Sequence, residues 1–224
     1  MNFNNVKKLN YTHKQEICNA LTHLAGFLFS VALTFVFIAY EIKHHIPFSK
    51  MYVFYIYVIT MSVVFFISAL YHSHPLNTKI KGVYRIIDHA DIYLFVAGTY
   101  TPICVHAITH QGIAIALLVI QWSFALAGVL LTVFGLGNKK MDVIAYIIYV
   151  IQGWALMFFY PFKQCLTFDV FIYVLMGGVA YTIGAVLYAI GKKNPWFHTV
   201  FHLFILLGAV LQFVGVWFIL ESLI

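Results

Sequence analysis

The stretch WFHTVFHLFILLGAVLQFVGVWFIL, residues 196–220, decides the fold. No Asp, Glu, Lys or Arg interrupts it, and it is long enough to cross a bilayer core, which takes about 20 apolar residues as a helix. A helix on the surface of a soluble protein carries one apolar stripe, whereas this segment is apolar all round. Two histidines, His198 and His202, stand near its start. An imidazole inside a membrane span is costly, and by default it marks a functional site.

Working outward, the same composition recurs. Apolar segments at about 17–40, 51–73, 84–107, 112–134 and 142–161 precede two more at 168–190 and 196–220. The chain of 224 residues is 63% hydrophobic and only 9% charged, with a mean hydropathy of +0.92. Lipid offers no partner to backbone amides, so spans of this kind are helices, each pairing its own backbone groups. The expected fold class is an all-α integral membrane protein: one seven-helix domain over residues 1–224. The first segment is too long for a signal-peptide core and lacks a small-residue cleavage site, so it reads as a retained span. Punctuation agrees. Gly135, Gly137 and Asn138 break the chain after the fourth span, Pro161 ends the fifth, and Gly191 with Asn194-Pro195 separates the last two. Pro102 lies inside the third span and predicts a kink there.

The loops orient the bundle. Lys7, Lys8, Lys14, Lys79, Lys81, Arg85, Lys139, Lys140, Lys192 and Lys193 fall on one side, and Lys43, Lys50 and Lys163 on the other. Ten against three is a strong positive-inside bias. It predicts a cytoplasmic amino terminus and an outside carboxyl terminus, opposite to G-protein-coupled receptors. The seventh span has no lysine for a retinal Schiff base. The net charge of +6 is dispersed over short loops, which argues against nucleic acid as a partner and for membrane lipids. The expected location is the cell membrane, as a multi-pass protein. Cys18, Cys104 and Cys165 show no CxxC spacing and read as small apolar fillers; Cys104 and Cys165 could both lie near the outer face.

With this topology the acidic residues and histidines of four spans, apart from His106 and the terminal Glu221, share one depth with their polar neighbours, near the cytoplasmic face. They are Glu16, Asn19 and His23 on the first, Ser68 and His72 on the second, Asp88, His89 and Asp91 on the third, and His198 and His202 on the seventh. His198 and His202 are i,i+4, so both imidazoles lie on one face, about 6 Å apart at Cβ. That suits two ligands of one zinc, and Ser68 and His72 repeat the spacing. Three histidines with one open position form the pattern of a catalytic zinc, and Asp88 could hold or deprotonate the water in that position. Plainer readings compete: a histidine hydrogen-bonded for packing, Ser68 bonded to its own helix carbonyl, and Asp88 paired with Arg85 at i−3. His89, about 100° around the helix from Asp88, reads as a polar neighbour. Glu16, Asn19 and His23 form a stripe facing the bundle, of undetermined role.

Five ordered motifs then carry a resemblance. They are Glu16-x2-Asn19-x2-Thr22-His23, Ser68-x2-Tyr71-His72, the run from Arg85 through Asp88-His89-Ala90-Asp91 to Ile92, Ala97-Gly98-Thr99-Tyr100-Thr101-Pro102, and His198-x3-His202 with Leu206-Leu207-Gly208. In these the chain resembles the hemolysin III proteins, within the wider progestin and adiponectin Q receptor family. The resemblance implies seven helices, an inside amino terminus and zinc near the cytoplasmic face on His72, His198 and His202. It also implies that Asp88 and Ser68 lie beside the metal's water. Relatives include alkaline ceramidases, so a zinc-dependent lipid amide or ester hydrolase serving lipid homeostasis is the leading expectation. A pore-forming hemolysin and a lipid sensor with structural zinc are the alternatives.

Overall fold

The computed structural model describes residues 11–76, 78–156, 166–191 and 194–224, with the side chain of Lys139 also outside it. Among these residues the chain is helical with no strand. The helices are α1 (His13–His44), α2 (Phe48–Ser73), α3 (Lys79–Pro102), α4 (Gln111–Gly135), α5 (Lys139–Gly153), α6 (Phe168–Ile190) and α7 (Trp196–Glu221). A π-helical turn, Ile103–Ala107, follows α3.

Several helices start before their apolar runs because caps, not lipid, set helix ends. The Thr12 side chain accepts from the Gln15 N–H while the Gln15 side chain accepts from the Thr12 N–H, a capping box that opens α1 at His13. Thr78 caps α3 by accepting from the Lys81 N–H at 3.2 Å, so that helix begins before the expected residue 84. After Pro102, where a kink is expected, the chain widens into the π turn, and the Ile108 N–H reaches back to the Ile103 carbonyl. Gly137, at φ 93°, makes the break between α4 and α5. The end of the expected fifth span at Pro161 lies outside the described residues, as does Cys165. Cys18 and Cys104 are free thiols.

Among the described residues five helices (α1, α2, α4, α6 and α7) are long and apolar enough to cross a membrane. The first half of α3 carries Lys79, Lys81, Arg85, Asp88 and Asp91, too many charges to read as a span by composition alone. α5 is described over 15 residues. Phe35, Phe134, Phe168 and Ile190 point outward, as an apolar belt facing lipid requires.

Sequential helices pack as neighbours from α1 to α5, α6 packs on α7, and α7 returns to α1. Phe37, Met51, Phe54, Tyr57, Met61 and Phe65 fill the α1–α2 side of the core and are fully buried. Small residues let the helices approach, the usual device where lipid removes the hydrophobic drive between spans. A Cβ on Gly98 would overlap Thr60 of α2, and one on Gly208 would overlap the Tyr181 ring of α6. Two motif glycines are thus packing residues. The antiparallel winding puts the starts of α1, α3 and α7 beside the end of α2, and the polar residues gather at that end of the bundle.

Candidate metal centre

His72 sits in the last turn of α2, and His198 and His202 in the first two turns of α7. The i,i+4 spacing sets the α7 pair side by side, and the bundle brings His72 to meet them. One nitrogen from each ring lies within 4.8 Å of the other two. His72 Nε2 and His198 Nε2 are 3.3 Å apart. Two nitrogens each about 2.05 Å from one zinc at a tetrahedral angle are about 3.3 Å apart, so the spacing of this pair fits that ion. In the metal-free protein the same gap accommodates an N–H···N bond between the two rings. His72 and His202 are buried, and His198 is partly covered by Tyr11 and Tyr188, each 5.3 Å away between ring centroids. Tyr11 precedes α1; burial foremost, then the charge on Tyr188, pushes its phenol well above its ordinary range, so it stays a neutral cover.

Asp88 approaches from α3. Its carboxylate pairs with the adjacent His89, whose Nδ1 is 3.5 Å from Oδ2, and the Ser68 hydroxyl, one turn before His72, is among its polar neighbours. It lies within Coulomb range of His23, His72 and His198. The Asp88–Arg85 pair that spacing allows does not form among the described residues, and His89 takes that place. His89 is therefore Asp88's direct partner, although the two project about 100° apart; its carbonyl also accepts from the Tyr149 hydroxyl. Ser68 is buried beside Asp88, which places it at the edge of the cluster.

The α1 stripe has definite partners. Glu16 Oε2 is 2.7 Å from His72 Nδ1, and Glu16 Oε1 is 3.0 Å from the Lys81 ammonium. Asn19 Oδ1 accepts from Thr199 of α7 at 2.6 Å. Thr22 Oγ1 is 3.4 Å from His202 Nδ1. His23 is buried edge-on to His202, with ring centroids 4.0 Å apart and neither nitrogen hydrogen-bonded among the described residues. Lys81 counts in the sequence only as an orienting charge, yet it is buried: its ammonium donates to the carbonyls of Tyr71 and His74 at 2.8 and 3.0 Å. A lysine that close to a helix start gives no sign in sequence that it will fold inward. Asp91, nearly one turn beyond Asp88, is buried with both oxygens unbonded among the described residues.

The haemolysin-III related family profile matches residues 11–213, which spans every residue of this cluster. The chain belongs to that family. It is 34% identical over 209 residues to a protein named Hemolysin-3 from Bacillus cereus, covering 92% of this chain and 91% of the relative. It is 32% identical over 209 residues to a Hemolysin-3 homolog from Bacillus subtilis (strain 168), covering 93% and 95%. Both alignments thus cover more than nine-tenths of this chain and of each relative. The chain is a multi-pass membrane protein by family and composition.

Proposed function

We propose that the chain crosses the membrane seven times with its amino terminus in the cytoplasm, and that His72, His198 and His202 hold a zinc ion near the cytoplasmic face. We further propose that the site hydrolyses an amide or ester linkage of a membrane lipid. The observation that carries this is the convergence of three imidazoles, from helix ends 126 residues apart, within 4.8 Å. Zinc bound there would supply Lewis-acid activation of water and of a carbonyl. Asp88, beside Ser68 and His89, is the carboxylate we assign to orient the water and take its proton. Ser68 then serves by fixing Asp88. The site's depth, at the ends of α2 and α7, is where lipid linkages lie.

The test is metal analysis of the purified protein together with turnover of amide and ester lipids. Zinc at one ion per chain and turnover lost in His202→Ala are expected. Full turnover by a metal-free variant would overturn the reading.

A sensor with structural zinc has one observation in its favour. Among the described residues α2 and α7 barely pack on each other, so an ion on His72 and the α7 pair would act as a cross-link between them. A pore has less support. On the side away from the histidines the interior is filled by Phe37, Met51, Phe54 and Tyr57, and the name Hemolysin-3 describes the relatives.

A further inference from the structure

We infer that α1 is the orienting helix of the histidine cluster: Glu16, anchored by Lys81, and Thr22 hold His72 and His202 by their Nδ1 atoms, so that both present Nε2 to the centre. This rests on the metal reading above and assigns residues that reading leaves without a role. The argument is one of donors and acceptors. An ionised carboxylate only accepts hydrogen bonds, so at 2.7 Å from Glu16 Oε2 the His72 Nδ1 carries the proton. The lone pair of His72 is then on Nε2, the atom that faces His198 Nε2.

The same logic fixes His202. The Thr22 hydroxyl has one proton and gives it to the Asn19 carbonyl at 2.8 Å. Toward His202 Nδ1, 3.4 Å away, the oxygen is left as an acceptor. Both rings therefore take the Nδ1–H form. A metal-ligating histidine whose other nitrogen donates to a carboxylate or oxygen is oriented and made more basic by that bond.

Lys81 makes the arrangement rigid. Its ammonium reaches the carbonyls of Tyr71 and His74 at the end of α2 and pairs with Glu16 Oε1, so one cation joins α1, α2 and α3 directly beneath His72. Glu16, Thr22 and Lys81 are positioning residues, acting through the ligands.

The experiment measures zinc affinity by chelator competition on the purified full chain in detergent, alongside 15N NMR of histidine-labelled protein. Wild type is expected to show His72 and His202 in the Nδ1–H form. Glu16→Ala should weaken zinc binding by about 10- to 100-fold, the range seen on removing outer-shell partners. Isosteric Glu16→Gln, which keeps an acceptor but loses the charge, should fall between it and wild type, and Thr22→Val should weaken binding too. Ser30→Ala, on α1 but bonded to Phe27 and Ser62, should leave affinity unchanged. Affinity within about threefold of wild type in Glu16→Ala and Glu16→Gln, with helicity intact, overturns the inference, as does a wild-type His72 protonated at Nε2. If wild type binds no zinc but both rings are Nδ1–H, the metal reading fails and the orienting role of α1 stands.

Discussion

Zinc added to metal-stripped protein is expected to raise its thermal stability, and the histidine variants should lose that gain in different ways. Ligand that binds only the folded state stabilises by RT ln(1 + [L]/Kd), about 2.7 kcal/mol when free zinc is 100 times Kd. Loss of any one ligand should cost at least the roughly 100-fold upper end of outer-shell effects. At the same free zinc that leaves about 0.4 kcal/mol. The variants diverge when zinc is raised to saturate them again. His198→Ala still has His72 on α2 and His202 on α7, so the ion would bridge two helices that barely pack on each other, and the gain should return. His72→Ala keeps only the i,i+4 pair on α7. That pair is local in the chain and survives partial unfolding, and binding to unfolded chain cancels the linkage. Its gain should not return at any zinc concentration. Tryptophan fluorescence melts over a zinc titration read both. Equal recovery in the two variants, or no zinc effect on wild type, would refute the reasoning.

Asp88→Asn should abolish lipid turnover while leaving bound zinc within about twofold of wild type, because the carboxylate lies outside the three-histidine set; loss of the metal, measured by mass spectrometry, would instead make Asp88 a ligand. Gln152 is fully buried and its amide donates to the carbonyls of Tyr93 and Gln121, so Gln152→Leu should cost about 1 kcal/mol in detergent unfolding, two bonds at the roughly 0.6 kcal/mol typical between membrane helices. A gain in stability would show that its unbonded Oε1 outweighs the two donated bonds. Gly98→Ala should cost about 1–3 kcal/mol by driving a methyl into Thr60. Adding Thr60→Ala should recover part of that loss and no more, because the Thr60 Cβ itself stands 3.0 Å from the new methyl.

What could be read in sequence follows from which forces are local. Span positions and the choice of helix are set by apolar runs against a lipid solvent, and those runs are contiguous in the chain. The His198–His202 pair is local too, because helical period alone sets both rings on one face. His72 joins them through topology: lysine bias assigns the sides, the sides assign depth, and depth places the end of α2 with the start of α7. Depth does not give azimuth, and the α1 stripe is therefore only half legible. Glu16, Asn19 and His23 lie on one face at helical spacing, but their partners are set by how α1 rotates against α2 and α7. Lys81 shows the limit most clearly. In a loop count it is one more cytoplasmic cation, and its flanking Lys79 and Gly82 give no contrary sign. Only the fold shows three oxygens converging within 3.0 Å of it, two of them carbonyls that no side-chain pattern records. The outcome for Asp88 has the same origin. Helical spacing offered Arg85 as its partner, but the carboxylate pairs with His89.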